Sequence, residues 1–148
     1  MKKNRVNYGV AMKLYRRERW CYTHHLHFLA KLIFRYMQVF LGCTIPPSVI
    51  IGKEVTIAHF HGIVIHHETS IGQGSTIYQN VTLGGRNGQP GPIIGENCVI
   101  GAGACVLGNV KIGNNVKIGA NAVVLTDVPD NSTAVGVPAR IIQRENND

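Results

Sequence analysis

The hydrophobic residues from position 45 onward recur with a period of six. Thirteen lead positions hold only Ile, Leu or Val: 45, 51 and 57; then 65, 71, 77 and 83; then 94, 100, 106, 112, 118 and 124. The fifth residue of each hexad is small or β-branched in eleven of the thirteen cases, and the exceptions are His61 and Asn87. Neither an amphipathic helix nor a hairpin has this period, whereas three short strands joined at corners close a coil of about 18 residues. The pattern therefore predicts a mainly β protein, built as a parallel β-helix.

The period is interrupted at two places. The first interruption adds two residues and predicts a bulge at 59–61; the second adds five residues and predicts a loop over 84–93. Both exceptions to the small fifth residue, His61 and Asn87, fall at these interruptions. Because local rules tend to fail at functional sites, the sequence predicts a site at the two interruptions.

Apolar residues before the repeats recur at helical spacing and predict two helices, roughly 8–19 and 22–41. The expected buried face of the second helix consists of Leu26, Leu29/Ala30, Ile33, Met37 and Phe40/Leu41, and the expected polar face consists of Lys31, Arg35 and Gln38. A solenoid has two open ends that need covering. We therefore expect a helical cap over 1–44, a repeat domain over 45–129, and an irregular tail or cap over 130–148.

Positive charge is concentrated in the N-terminal segment. Residues 1–40 hold nine of the fifteen Lys and Arg residues and one acid, Glu18, so this segment carries +8 and the remainder carries −1. These charges argue against a membrane span. Two interpretations stay open. The segment is either a helical cap whose basic face is solvated, or a helical segment that makes peripheral contact with an anionic membrane surface or an anionic partner. Nucleic acid is not expected as a partner, because no aromatic platform or known motif accompanies the charge.

The overall composition is typical of one globular domain, with 148 residues, 45% apolar content and a net charge of +7. The four cysteines (Cys21, Cys43, Cys98 and Cys105) show no C-x-x-C spacing, and no signal peptide is recognised. These features predict reduced, buried thiols and a cytoplasmic location, with the inner face of the membrane as a candidate place of contact.

Four of the seven histidines lie in the segment IAHFHGIVIHHE, residues 57–68. Imidazole can act as a general base near neutral pH, and it is also a common zinc ligand. A tetrahedral zinc site needs three protein ligands that face one point, and no histidine follows His67 to supply a ligand from later coils. We therefore expect no metal.

The hexads, the stretch HFHGIVIHHET, the segment VTLGG at 81–85 and the segment GVPARII at 136–142 together resemble the hexapeptide-repeat acyltransferases. Within that superfamily the sequence is most similar to the serine acetyltransferase branch, which includes O-acetyltransferases of surface polysaccharides. The resemblance covers about residues 40–142. It implies a left-handed parallel β-helix, usually a homotrimer, with acetyl-CoA as co-substrate and the acceptor bound in clefts between subunits.

The resemblance also implies roles for individual residues. In that branch the histidine three residues before the Gly of GIV is the general base, which is His59 here. It would remove the proton of an acceptor hydroxyl during attack on the acetyl-CoA thioester, and the Gly84-Gly85 corner would offer an N–H to the oxyanion. His61 is a candidate for the acceptor pocket. Glu68 is a candidate to orient the base. His66 and His67 are expected to be exposed corner residues.

The residues that the resemblance assigns to acetyl-CoA are Gly85, Ala102, Lys117, Ala120 and Arg140. The two alanines are 18 residues apart and therefore stacked, so their small side chains would let an extended pantetheine arm approach the backbone. The lysine and the arginine match positions that meet the phosphates of the coenzyme. The alternative interpretation is that the Gly and Ala residues only turn corners.

Two positions depart from the serine acetyltransferase pattern. Thr44 replaces the carboxylate that orients the base, and the loop after TLGG has Arg86 without the histidine that accompanies it in the serine enzymes. The main prediction is therefore an acetyl-CoA-dependent O-acetyltransferase that acts on a sugar hydroxyl of a surface polysaccharide or its precursor. L-Serine is the alternative acceptor. A zinc enzyme similar to the gamma-class carbonic anhydrases and a non-enzymatic scaffold are the remote alternatives.

Overall fold

The computed structural model describes residues 9–143, so the parts of the predicted cap and tail at 1–8 and 144–148 lie outside the described residues. Three of the basic N-terminal residues, Lys2, Lys3 and Arg5, belong to that outer part.

The body is a solenoid of short parallel strands that stack into three walls. Each strand pairs in parallel register with the strand three places later in the chain, so that Ile57, Ile77, Ile100 and Ile118 stack on one wall. Wall A contains β3 (Val64–Ile65), β6 (Thr82–Gly84), β9 (Cys105–Leu107) and β12 (Val123–Val124). Wall B contains β1 (Ile50–Ile51), β4 (Ser70–Ile71), β7 (Ile93–Ile94) and β10 (Lys111–Ile112). Wall C contains β2 (Thr56–Ile57), β5 (Thr76–Ile77), β8 (Val99–Ile100) and β11 (Lys117–Ile118). The predicted left-handed parallel β-helix is confirmed.

The hexad pattern forms this fold because its large and small positions both point into the coil. The lead residues are buried with the exception of Ile51, which is partly buried. At the two interruptions the inward small position is filled by Ile63 and Pro92, both buried, whereas His61 and Asn87 are exposed. His61 therefore does not take the inward position that its place in the hexad would give it. The inserted residues leave the coil, and the chain regains its register two residues before the next lead position.

Two helices, α1 (Val10–Thr23) and α2 (His27–Leu41), form a hairpin against the first coil. Each helix begins later than the sequence predicted, and α1 also ends later, whereas α2 ends at the predicted residue. The hydroxyl of Tyr15 donates a 2.5 Å hydrogen bond to the carbonyl oxygen of Val49, and Arg19 Nη1 donates to the carbonyl oxygens of Pro47 and Val49, both at 2.8 Å. These bonds fix α1 to the corner before β1.

The face of α2 that contacts the rest of the chain is narrower than the sequence predicted. Among its residues only Ala30 and Met37 are buried, because α1 and the first coil cover a single side of the helix. Leu26, Leu29 and Phe40, which were expected on the buried face, are exposed. Neither helix within residues 9–143 is long and apolar enough to cross a bilayer.

The segment after Pro129 is regular, in contrast to the irregular tail that the sequence predicted. Strand β13 (Ser132–Val135) continues wall C in parallel beside β11, and β14 (Arg140–Gln143) pairs antiparallel with β13. A closing antiparallel strand covers the open edge of wall C. The four cysteines are free, as expected, and all are buried except Cys105, which is partly buried.

Candidate functional site

Two of the three edges of the β-helix carry the residues of interest. The CA edge, where wall C turns into wall A, consists of residues 58–63, 78–81, 101–104 and 119–122, one segment per coil. The AB edge, where wall A turns into wall B, consists of residues 66–69, 85–92, 108–110 and 125–127. Segments on one edge are separated along the axis by about 4.8 Å per coil.

His59 lies in the predicted bulge at the first coil of the CA edge and is exposed. Behind it, Phe60 packs against the core and its ring lies on that of His61, with 4.3 Å between the ring centroids. Gly62 has a φ of +70°, and a Cβ there would collide with the side chain of Asn80. The backbone N–H of Asn80 in turn donates a 2.9 Å bond to the carbonyl oxygen of His61. The bulge is therefore a fixed turn that presents His59 outward.

Neither candidate orienter contacts the His59 ring in this chain. Within residues 9–143 the imidazole makes no hydrogen bond to Thr44 or Glu68. The backbone of Thr44 pairs with wall A, donating 2.8 Å to the carbonyl oxygen of Ile63, and Glu68 lies on the AB edge. The role of both residues as orienters of the base stays a prediction.

The sequence analysis did not single out Gln79, which lies on the CA edge one coil beyond His59. Its backbone carbonyl accepts a 2.9 Å bond from Gly103, while its side-chain Oε1 is buried and has no hydrogen-bond partner among the described residues. An unpaired buried amide oxygen is unusual in a folded protein. The only signal in the sequence was its place in the segment YQN, at the corner that follows the bulge on the same edge.

Four of the five predicted coenzyme residues lie at or near the far end of the same edge. Ala102 and Ala120 occupy the corners of the third and fourth coils, about 10 and 14 Å from the level of His59 along the axis. Lys117 is exposed on β11 just before the corner of Ala120. Arg140 is exposed at the start of β14, next to Ala139, whose N–H donates a 2.8 Å bond to the carbonyl oxygen of Val123. The CA edge thus has an imidazole at one end and two cations near the other; Tyr78 and Gln79 occupy the second coil, and Gly and Ala predominate on the third and fourth coils.

Gly85 and Arg86 lie on the AB edge, away from His59. A Cβ at Gly85 would lie 2.5 Å from the carbonyl oxygen of Gln89 and 3.3 Å from His66 Nε2, so the tight loop requires glycine there. The loop folds over His66 and leaves a cavity of about 330 Å³ lined by Arg86, Asn87, Gln89 and the corner at 107–110. Wall A separates this cavity from the CA edge by on the order of 10 Å.

His66, His67 and Glu68 form a compact cluster on the AB edge. Their candidate ligand atoms all lie within 4.8 Å of one another, and His67 Nε2 is 3.9 Å from Glu68 Oε2. His67 is exposed, as predicted, and Glu68 is exposed too, whereas His66, which was also expected to be exposed, is partly buried because the loop covers it. The cluster has donors that zinc accepts, but all three come from consecutive residues of one corner.

Comparisons with a family model, with known proteins and with solved structures point to the same group of transferases. Residues 91–126 match the family model described as bacterial transferase hexapeptide (six repeats). A serine acetyltransferase from Staphylococcus epidermidis RP62A is 43% identical over 139 residues, which is 92% of this chain and 62% of that protein. A serine acetyltransferase from Staphylococcus aureus Mu50 is 44% identical over the same share of both chains. The chain thus spans less than two thirds of the length of these relatives.

Solved structures of serine acetyltransferases have the same fold. One in complex with CoA superposes with a TM-score of 0.83 at 39% identity, covering 89% of this chain and 55% of that one. The Neisseria gonorrhoeae enzyme in complex with serine superposes with a TM-score of 0.83 at 37% identity, covering 88% of this chain and 54% of that one.

Proposed function

Because this chain belongs to the hexapeptide-repeat acyltransferase superfamily and is similar to its serine acetyltransferase branch, we propose that it is an acetyl-CoA-dependent O-acetyltransferase. The observation that carries the proposal is the arrangement of the CA edge. Ala102 and Ala120 are stacked on the third and fourth coils of this edge, His59 lies in the bulge of its first coil, and the cations Lys117 and Arg140 lie near its far end. A long, thin ligand with an anionic end and a reactive opposite end fits this arrangement.

In the proposed reaction the His59 imidazole accepts the proton of the acceptor hydroxyl while the hydroxyl oxygen attacks the thioester carbonyl carbon. A bond from carbon to oxygen forms and the bond from carbon to sulfur breaks. The leaving sulfur takes the proton from the imidazolium, so that CoA departs as the thiol and His59 is neutral again. Direct transfer of this kind requires no acyl-enzyme and no metal.

We further propose that the complete site forms between subunits of a homotrimer. In one chain the CA edge holds His59 and the AB edge holds Arg86 and the cavity of the 84–93 loop, with wall A between them. A threefold arrangement of triangular prisms can place the CA edge of one subunit beside the AB edge of the next. The separation of the candidate residues onto two edges supports this arrangement.

The first candidate acceptor is L-serine. The curated relatives and solved structures named above are serine acetyltransferases, which favours this alternative over the sugar hydroxyl that was the main prediction from sequence. A zwitterionic acceptor needs a cation for its carboxylate and an anion for its ammonium when both are desolvated. Arg86 and Glu68 supply this pair on the AB edge, one coil apart, and both are exposed.

A sugar hydroxyl is the second candidate acceptor. The cavity beside Arg86 is lined by the amides of Asn87, Gln89 and Asn109, which can bond neutral hydroxyls without a charge partner. Its volume of about 330 Å³ exceeds what one serine molecule would fill.

The proposed function is tested by measuring the release of free CoA thiol from acetyl-CoA in the presence of L-serine, amino sugars, hexoses and oligosaccharides. We expect thiol release that depends on one of these acceptors and that is lost in His59→Ala. Hydrolysis of acetyl-CoA that no acceptor stimulates would contradict the transfer reaction.

A further inference from the structure

The side of α2 that faces away from the protein is apolar. At about 100° per residue, Phe28, Leu32 and Val39 lie opposite the buried Ala30 and Met37. Their side chains are 83%, 57% and 69% exposed. A surface helix normally carries polar residues on that side. The outer hairpin face, defined here as Phe28, Leu29, Leu32, Tyr36, Val39 and Phe40 of α2 with Trp20 of α1, is therefore a contiguous apolar surface that the described chain leaves uncovered.

Cations flank this face on both sides. Lys31 and Arg35 are exposed along one margin of α2. On the other margin, Arg16 and Arg17 of α1 line a groove together with Trp20, Leu29 and Ile33. Basic side chains that border exposed aromatic and aliphatic residues are typical of helices that lie in a membrane interface.

The described hairpin itself carries no exposed acid. Glu18 is the only acid in residues 9–42, and its side chain is fully buried between the helices and the first coil. Burial raises the pKa of the Glu18 carboxyl to about 8, so this group is mainly neutral at pH 7. The exposed charged side chains of the described hairpin are therefore all cationic.

We propose that the outer hairpin face is a docking surface for a membrane that contains anionic lipid. The apolar side chains enter the boundary between headgroups and acyl chains, and the flanking cations contact the headgroup phosphates. Pairing of this face with the same face of a second copy is disfavoured, because it would bring the cations of both copies together. The proposal does not depend on the acetyl-transfer reaction or on the identity of the acceptor.

The test is cosedimentation of the full chain with vesicles of phosphatidylcholine alone and with vesicles that also contain phosphatidylglycerol. We expect binding to the anionic vesicles only, weakened by salt because the Debye length is about 10 Å at 0.1 M. Lys31→Gln with Arg35→Gln should weaken that binding about 25-fold, since each basic side chain near an anionic surface contributes a factor of about five. Equal binding of the parent protein to both vesicle types would overturn the charge argument.

A second pair of variants separates apolar insertion from charge. Phe28→Ser with Val39→Ser should weaken binding to anionic vesicles at least about 10-fold, whereas Ile50→Ser with Ile93→Ser, which changes two exposed apolar side chains on wall B, should leave it unchanged. Circular dichroism and the mass in solution are measured for every variant. If the hairpin variant changes the mass in solution and binds vesicles as the parent does, the face is an interface between copies and the proposal is wrong.

Discussion

The carbonyl oxygen of Ala102 accepts a 2.9 Å hydrogen bond from the backbone N–H of Asn121, which places Ala120 directly beside Ala102 on the next coil of the CA edge. The close approach leaves no room for side chains between the two coils, since a Cβ added at Gly101 would lie 2.6 Å from the backbone nitrogen of Ala120. Ala120 itself is exposed, so a larger side chain there would extend away from the coil. The corner can therefore be changed without disturbing the core.

The first prediction follows from this exposure. Ala120→Trp should raise the KM for acetyl-CoA at least about 10-fold, because the indole would occupy the path of the pantetheine arm, with little change in the melting temperature. Lys53→Trp, at an exposed turn between walls B and C and away from both edges of the proposed cleft, is the control and should leave the KM unchanged. A collapse of stability with normal coenzyme binding in the folded fraction would show that Ala120 is only a packing residue.

The second prediction concerns His59, the proposed general base. His59→Ala should lower kcat by about 10²–10⁴-fold, the range for a lost general base, while acetyl-CoA affinity and the melting temperature change little. His67→Ala, which removes another exposed imidazole, should retain most of the activity. Turnover of the His59 variant within a few-fold of the parent would refute the assignment.

Removal of metal gives a third prediction. Dialysis against a chelator should leave kcat unchanged, because the proposed transfer uses an imidazole and the thioester without a Lewis acid. The cluster of His66, His67 and Glu68 is where zinc would bind if the protein used it. Loss of activity after chelation, followed by recovery with zinc and no recovery in Glu68→Gln, would assign a catalytic metal to that cluster.

The fourth prediction concerns stability as a function of pH. Burial raises the pKa of Glu18 to about 8 in the folded protein, whereas an unfolded glutamate titrates near 4.3. The folded state therefore binds more protons than the unfolded state between these values, and the free energy of unfolding falls as pH rises through that window. Between pH 5 and pH 7 this group should lower the free energy of unfolding on the order of 3 kcal/mol. Below about pH 4 the carboxyl is protonated in both states, so the free energy of unfolding no longer changes with pH through this group.

Glu18→Gln removes this titration and should flatten the dependence of the melting temperature on pH between 5 and 8. The groups that surround the carboxyl are Tyr15 and Cys43, whose pKa values are themselves raised by burial, and Tyr22, His27 and Lys31, which line a cavity of about 230 Å³ beside it. Glu54→Gln, at an exposed turn, is the control and should leave the pH dependence as it is in the parent. An unchanged pH profile in the Glu18 variant would contradict the raised pKa.

The fold could be predicted from the sequence because the β-helix repeats one local rule. A large residue such as Ile100 and a small one such as Cys98 must point inward in every hexad, so the period alone determines coil and wall. The number of residues between lead positions could locate the bulge, but it could not show which residue takes the inward position after the bulge. Ile63 does so because its side chain is apolar, and burial of the His61 imidazole without a partner would have a desolvation cost.

The helical hairpin and the site were less predictable for different reasons. Apolar residues surround most of α2, so its periodicity could not distinguish the side that contacts the first coil from the side of Phe28 and Val39. The distribution of His59 and Arg86 over two edges follows from the order of the walls, which a list of motifs does not contain. The unpaired amide oxygen of Gln79 depends on local packing and has no signature in the sequence.

The last prediction distinguishes the two candidate acceptors. If L-serine is the acceptor, Arg86 would pair with its carboxylate, and loss of that charge would leave a desolvated anion without a partner. Arg86→Gln should then lower kcat/KM for L-serine by about 10–100-fold, equivalent to about 1.4–2.7 kcal/mol of transition-state stabilisation. Lys111→Gln, an exposed cation on wall B, is the matched control and should have no effect. A neutral sugar has no such charge, so its transfer should fall only a few-fold in Arg86→Gln. If kcat/KM for L-serine in the parent protein is at least about 100-fold below that for the best glycan, and Arg86→Gln leaves this ratio unchanged, the sugar hydroxyl is the acceptor, and the pairing of Arg86 and Glu68 with an amino acid is wrong.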